Sequence, residues 1–349
     1  MANQQQFIHA KCPECGQQML YAGGNKILSC KNCNYSRPLN AQSDQIPERK
    51  LTENLRLDEF VRGMDTELTE ATCNKCKAVV ASYKKEPLSA CPFCSKGELT
   101  PSSQNQKVLL PFSIIPFTIP EVTARKILTS YLKALYPLML PQDIWEVTEE
   151  KKLKGIFIPY FLFDVFTRST WKLEGGIEVN DGKQKKMVYD NYSGYLERHF
   201  TDLPLPLTKG CPGHFVQIAD YNFREAVKYD SHYLSLFFTE LYQTAEKDAF
   251  VAAEGMIDGM ISGDVGNRLT KLNDKKNLKI TSEKQALTLR HVLVPVWIGT
   301  YEYMGRTFQY LINGQTGKVS GEKPISFAKI YSIIAAIIVL LISLIVIFR

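Results

Sequence analysis

Cys12-Pro13-Glu14-Cys15-Gly16, Cys30-Lys31-Asn32-Cys33, Cys73-Asn74-Lys75-Cys76 and Cys91-Pro92-Phe93-Cys94 are the four short runs on which the reading of this chain turns. They form two copies of one spacing, Cys-x2-Cys-x14-Cys-x2-Cys, and each cysteine of the second copy lies 61 residues after its counterpart (73 against 12). Four thiolates offered from two such turns can close a tetrahedral shell around Zn2+. Two structural zinc ribbons are therefore expected, one ligated by Cys12, Cys15, Cys30 and Cys33, the other by Cys73, Cys76, Cys91 and Cys94. Pro13 and Pro92 pre-set φ for the knuckle turns, and Gly16 can take the positive φ that the first one needs. A module this small builds little apolar core, so metal must supply its folding energy, roughly 10–16 kcal/mol per site. Dense cysteines can instead form a disulfide framework, but residues 1–20 hold no apolar run of a secretory signal. A shell of four thiolates also leaves no open position for a catalytic water. Ligation interleaved between the two sets would require them to pair compactly.

At the other end, residues 330–348 carry no charge, and 14 of these 19 are Ile, Val, Leu or Phe. As a helix the run spans about 28 Å, close to the ~30 Å hydrocarbon thickness of a bilayer. A single transmembrane anchor is expected there. Lys318, Lys323 and Lys329 precede the run and only Arg349 follows it, so the N-terminal side is the basic side. Thiolates that must keep a metal ask for a reducing compartment as well. Both arguments place the body in the cytosol, tethered to the cell membrane by its tail.

Between these ends the chain divides by composition into a first ribbon (1–40), a polar linker (41–70), a second ribbon (71–96), a second linker (97–107) and a core domain (108–322) long enough for a sizeable interior. Leu51, Leu55, Phe60 and Met64 suit a short amphipathic helix in the first linker. In the core, Pro120 opens a helix through 136, and a second helical stretch covers 231–261 with a break near Gly255 or Gly259. Strands are expected over 155–167, 170–179, 187–192, 291–303 and 307–311. The fold class is thus α+β. Ile158-Pro159-Tyr160-Phe161 and Val294-Pro295-Val296-Trp297 repeat an apolar–Pro–aromatic strand, each after a helical region, which suggests a duplicated helix-plus-hairpin unit. Asn313-Gly314 reads as the tight turn of a closing hairpin.

The net charge of +6 is mild and unevenly spread. Residues 44–70 are acidic, and 268–290 carry seven basic residues against Asp274 and Glu283; such a run is read first as a solvated face or loop. The 35 Tyr and Phe residues are read as core rather than as base-stacking platforms. Signals for catalysis are thin. Gly314-Gln315-Thr316-Gly317-Lys318 lacks the spacing of a phosphate loop, and Val319 stands where its hydroxyl would be. Cys211-Pro212-Gly213-His214, with His199 and His232 nearby in sequence, is the one nucleophile-like cluster, and it has no evident third group.

The ribbons, Val294-Pro295-Val296-Trp297, 313–318 and the tail together resemble a bacterial family of zinc-ribbon membrane proteins, described as transcription factor IIB-type or as primosomal helicase-like. The resemblance implies two structural zinc ions and partners of the phage-shock-protein-A-like and stomatin/flotillin-like kinds. It implies no catalytic residue, and a helicase motor would need phosphate and magnesium motifs that this chain lacks. The expected function is a non-enzymatic, tail-anchored adaptor whose cytosolic ribbons recruit proteins to the membrane, in envelope stress or membrane maintenance. The alternative is a membrane-tethered nucleic-acid-binding protein, since Lys11, Lys26, Lys31, Arg37, Lys75, Lys77, Lys84, Lys85 and Lys96 make both ribbons modestly basic.

Overall fold

Three very long strands organise the molecule. In a computed structural model, residues 10–39, 49–50, 69–82, 90–101, 111–135, 153–180, 182, 184–211, 213–242, 246–322 and 326–347 are described. The expected amphipathic helix around Leu51, Leu55, Phe60 and Met64 lies outside them, as does 102–107. The described content is mixed helix and sheet, with sheet dominant.

Strands β9 (Lys154–Asn180), β10 (Lys185–Pro206) and β13 (Asp274–Tyr303) run antiparallel, with β9 in the middle. Burial along β9 explains its length. Residues 155–163 are buried on both faces, as in the interior of a covered sheet. From Asp164 onward burial alternates, so one face packs and the other meets solvent. The three strands thereby leave the core as a projecting arm. The two strands expected over 155–167 and 170–179 are one, because Arg168 and Ser169 continue the ladder opposite Glu283 and Ser282 instead of turning. The basic run after Arg268 is not a loop either: from Asp274 it is the arm's edge strand.

Helix α1 (Glu121–Leu135) packs Ala124, Leu128 and Leu132 onto the core, in the place the sequence indicates. The second helical stretch differs. Residues Ser231–Leu234 form a 3-10 turn and β12 (Phe238–Leu241) is a strand; α2 (Glu246–Arg268) follows and runs unbroken past Gly255 and Gly259. Ala249, Ala253, Ile257, Ile261 and Val265 recur every fourth position on α2 and bury against Phe161, Phe163 and Leu173 of β9 and Leu196 of β10. Burial of that single stripe holds α2 helical through its glycines.

The sheet has twelve strands, including the short β4 (Arg49–Lys50) beside β13 and β11 (Val227–Lys228) beside residues 113–114, and its central path is symmetric in register. Here β8 (Ser113–Ile114) runs parallel to β13 at Val292 and Leu293, while β12 runs parallel to β9 at Ile156 and Phe157. On the same edges β10 joins β9 from Tyr160, and β14 (Arg306–Asn313) joins β13 from Val296. Two strand–helix–hairpin units, β8-α1-β9-β10 and β12-α2-β13-β14, thus face each other about the β9–β13 ladder.

Neither cysteine module hangs free of this body. In the first, β1 (Met19–Tyr21), β2 (Ile27–Cys30) and β3 (Ser36–Pro38) make a separate small sheet. Tyr21 fixes it to the core, its N–H donating to Ser235 Oγ at 2.9 Å and its hydroxyl to the Phe117 carbonyl at 3.0 Å. In the second, β5 (Thr69–Cys73), β6 (Val79–Ser82) and β7 (Leu99–Pro101) extend the main sheet, because β6 pairs with β12. Leu99 to Pro101, expected to begin a linker, is therefore strand. The last described element, α3 (Phe327–Ile347), is the one helix among the described residues long and apolar enough to cross a membrane, and its apolar side chains are largely exposed.

Candidate metal centres

Four knuckles share one backbone geometry. The residue after the second cysteine of each pair has positive φ: Gly16 at 71°, Asn34 at 60°, Lys77 at 62° and Ser95 at 52°. The same four N–H groups donate to the carbonyls of Cys12, Cys30, Cys73 and Cys91, the first cysteine of each pair. That turn aims both sulfurs of a pair at a common point. The expectation for Gly16 holds; Asn34, Lys77 and Ser95 adopt the same conformation with side chains that favour it less.

The two sets each close on themselves. Cys12 Sγ lies 3.4 Å from Cys33 Sγ and Cys15 Sγ 3.5 Å from Cys30 Sγ; the second set gives 3.7 Å for Cys73–Cys94 and 3.6 Å for Cys76–Cys91. All four sulfurs of each set lie within 4.8 Å of one another. No cysteine among the described residues is in a disulfide. A tetrahedron with metal–sulfur bonds of ~2.3 Å has edges of ~3.8 Å. The sulfur spacing fits one metal ion per set.

Local contacts support the second set further. Cys73 Sγ accepts from the backbone N–H groups of Lys75 and Cys76, both at 3.4 Å. Gly97 passes so near this sulfur that a Cβ there would stand 2.1 Å from it. Only glycine fits. Lys154, partly buried at the start of β9, lies near Cys91 and Cys94; burial pulls its ammonium down and their charge holds it up. It is placed to offset the negative charge of a four-thiolate centre. In sequence, the signal for Gly97 was a glycine three places after the last cysteine, whereas Lys154 gave none.

Electrostatics divide the thiols. The Gln17 backbone N–H holds Cys15 down to about 6, and the Cys91 thiol holds Cys76 down to about 5. Cys33 is pushed up to about 12, its cysteine neighbours and burial outweighing the Tyr35 backbone, while burial pushes Cys73 up. Each set thus offers one ready thiolate, and a bound cation would draw the remaining protons off.

The two centres lie on opposite faces of the sheet. Leu293, Trp297 and Tyr301 of β13 share a core with Cys12, Met19, Tyr21 and Cys30. Val292, Val294, Val296 and Ile298 share the other with Cys73, Cys91 and Phe93. The 91–94 knuckle also bonds directly to the sheet, Thr300 Oγ1 donating to Ser95 Oγ at 2.8 Å and Gln309 Nε2 to the Phe93 carbonyl at 2.7 Å.

The cluster around Cys211 does not assemble as a nucleophile site. Burial pushes the Cys211 thiol up, and the Glu240 carboxylate adds to that, the reverse of thiolate activation. Burial lowers the pKa of His214, whose Nε2 is buried without a hydrogen-bond partner. His232 instead sits 2.6 Å from Asp230, and His199 pairs with Phe166 on the arm. A group the sequence did not reveal is Glu240. It is buried, and it accepts from Thr208 Oγ1 at 2.5 Å and from the backbone N–H groups of Lys209 and Gly210 at 2.8 Å.

Residues 313–318 form a clasp. Asn313 Nδ2 donates to the Ile218 carbonyl, its Oδ1 accepts from the N–H groups of Gln315 and Thr316, and Gln315 exchanges bonds with Asn222. The loop joins β14 to β15 (Val319–Gly321) over five residues, not as a two-residue Asn-Gly turn. Every polar group named here is spent on the protein itself.

The uncharacterized protein YdjG of Bacillus subtilis (strain 168) is 25% identical to this chain over 337 residues, covering 93% of the chain and 92% of that protein. No family model matches the chain. No solved structure matches it.

Proposed function

We propose that this chain is a zinc-stabilised, tail-anchored membrane adaptor without enzymatic activity of its own. The observation that carries the reading is the placement of the two ends of β13. Its C-terminal end pairs with β14, beside which the chain leaves the sheet for α3; its N-terminal end lies in the projecting arm. Thirty strand residues reach at most about 100 Å. A body held at one end of such a strand presents the other to soluble partners.

Zinc is the proposed occupant of both centres, on the four-thiolate donor set and the sulfur spacing. Its role is structural, since each shell closes with four protein ligands. Recruitment by ribbons on flexible tethers receives no support, because both ribbons are docked on the body. The presenting element proposed is the arm. The resemblance to zinc-ribbon membrane proteins adds the expectation of phage-shock-protein-A-like and stomatin/flotillin-like partners. The lysines before α3 support a cytosolic body.

The nucleic-acid alternative ranks lower on charge. Lysines of the arm are interleaved with acids: Lys185 pairs with Glu178 at 2.6 Å and Lys276 with Asp274 at 3.5 Å. A polyanion would meet mixed charge there.

The test is fractionation of a soluble candidate partner of either named kind. Co-expressed with the full chain it moves to the membrane; with a chain truncated after Glu322 both proteins stay soluble. If the partner's distribution ignores the chain, while the body binds duplex DNA with a steep salt dependence, the alternative replaces this reading.

A further inference from the structure

The turn between β13 and β14 conflicts with local preference. Tyr303 pairs with Arg306, leaving a two-residue connection of Met304 and Gly305. Both have positive φ, 50° and 72°. Such a turn favours Asn or Asp ahead of Gly, and a methionine in the left-handed region costs about 1–2 kcal/mol. Burial does not offset that cost, because Met304 is 85% exposed, the largest exposure among the exposed large hydrophobic residues described. An apolar side chain held outward in a strained conformation has its reason outside the fold.

Strand direction shows what lies there. Tyr310 pairs with Gly321 and Ile312 with Val319, so β15 runs toward the Met304 turn. Glu322 keeps that course, its N–H donating to the Gln309 carbonyl at 2.9 Å. The four links from Glu322 to Ser326 reach at most about 14 Å, and from Gln309 to Met304 is about 17 Å of strand. Ser326 opens the membrane-crossing helix, its carbonyl accepting from Ile330 N–H at 3.2 Å. The reach from Glu322 is thus long enough for Ser326 to stand close to the level of the turn along the strand direction.

We propose that the Met304 turn dips into the lipid interface beside the anchor, Met304 entering the acyl boundary and Arg306 meeting headgroup phosphates. The Arg306 guanidinium lies over the Phe308 ring, 5.7 Å from its centroid, which holds it at this end of the hairpin. Tyr303, half-buried, stands where aromatic side chains settle between water and lipid. Two acids are exposed at this end, Glu302, which faces Thr307 across the hairpin, and Glu322, which follows β15. With this second contact the anchored body no longer pivots freely about α3, and the arm is held pointing away from the membrane. The proposal rests on reading Lys329–Ile347 as a membrane span.

The experiment uses the full chain in phosphatidylcholine–phosphatidylglycerol vesicles containing lipids spin-labelled near the headgroup or in the acyl chain. An environment-sensitive fluorophore is carried on a noncanonical side chain at Met304, at Leu278 on the arm, or at Leu340 within α3, leaving every cysteine intact. The expected result is strong quenching at Met304 by the shallow label, at Leu340 by the deep label, and none at Leu278. Quenching at Leu340 with none at Met304 overturns the proposal while the span reading survives. Loss of quenching at Leu340 removes the span reading and the proposal with it.

Discussion

Ile158 of β9 and Val294 of β13 are direct partners across the central ladder, and each stands one residue before the proline of its strand. The pairing is symmetric about them: Pro159 faces Leu293 and Pro295 faces Phe157. A proline inside a central strand ordinarily loses a ladder bond. Here the Pro159 carbonyl accepts from Leu207 N–H and the Pro295 carbonyl from Gly314 N–H, both on the side away from the β9–β13 ladder. The proline nitrogens face that same side, where β12 has ended and β10 begins for one, and β8 has ended and β14 begins for the other.

Pro159→Ala and Pro295→Ala are therefore expected to destabilise alike. Each introduces a buried N–H at a change of neighbour and restores freedom to the unfolded chain, for about 1–3 kcal/mol. Urea denaturation of the two variants checks this. A large cost at one proline and none at the other would break the symmetry argued here.

Metal removal is expected to unfold more than the ribbons. Cys12 and Cys30 share a core with Trp297 and Tyr301, and Cys73 and Cys91 share one with Val294 and Ile298. Chelation should deprotect the N–H groups of β13 and β14 in hydrogen exchange along with those of the knuckles. Metal analysis should give two ions per chain, and Cys12→Ser or Cys73→Ser should each leave one. Loading releases the protons of thiols such as Cys33, so apparent affinity rises with pH through the neutral range.

Glu240 carries a pH dependence whose sign follows from its burial. Desolvation raises its pKa to about 7, despite the Thr208 hydroxyl and the two N–H groups that favour the ionised form. The folded state holds the proton more tightly than the unfolded one. That contribution is complete below the unfolded pKa of about 4.3 and is lost as pH rises through 7. Glu240→Gln, which can still accept from Lys209 and Gly210, should flatten the fall in stability between about pH 4.3 and 7. Glu240→Ala leaves both N–H groups unpaired and should cost about 1–3 kcal/mol. Thermal melts across that range decide it, and an unchanged profile in Glu240→Gln would exclude this group.

What could be read from the residues was whatever spacing alone encodes. The cysteine pairs, the apolar tail, the helix after Pro120 and the echo of Pro159 in Pro295 are all local or periodic. Long-range pairing was hidden. Nothing near Val79–Ser82 says that it pairs with Phe238–Leu241, and that pairing makes the second ribbon part of the sheet. Residues 231–261 look helical because Tyr233, Leu234, Phe237 and Phe238 are apolar in a run, yet they divide between two cores and the chain must be extended to serve both. Polar Arg168 and Ser169 resemble a turn in sequence, which makes the long strand look like two short ones. Their partners Glu283 and Ser282 are more than a hundred residues away, and the Ser169–Ser282 hydroxyl bond of 2.9 Å has no trace in the sequence around either.

Helix α2 carries stability that the chain does not use. Gly255, Gly259 and Gly263 lie on its exposed side, and a Cβ at any of them would meet nothing within 4 Å. Glycine inside a helix costs about 1 kcal/mol relative to alanine. Gly259→Ala should therefore raise stability by about 0.5–1 kcal/mol, and Gly255→Ala by a similar amount. The gain should appear as slower hydrogen exchange along α2 and across the Phe161–Val165 stretch on which it packs. A loss of stability in Gly259→Ala would mean that this side of the helix is covered in the folded protein, for only a close neighbour could penalise one methyl group there.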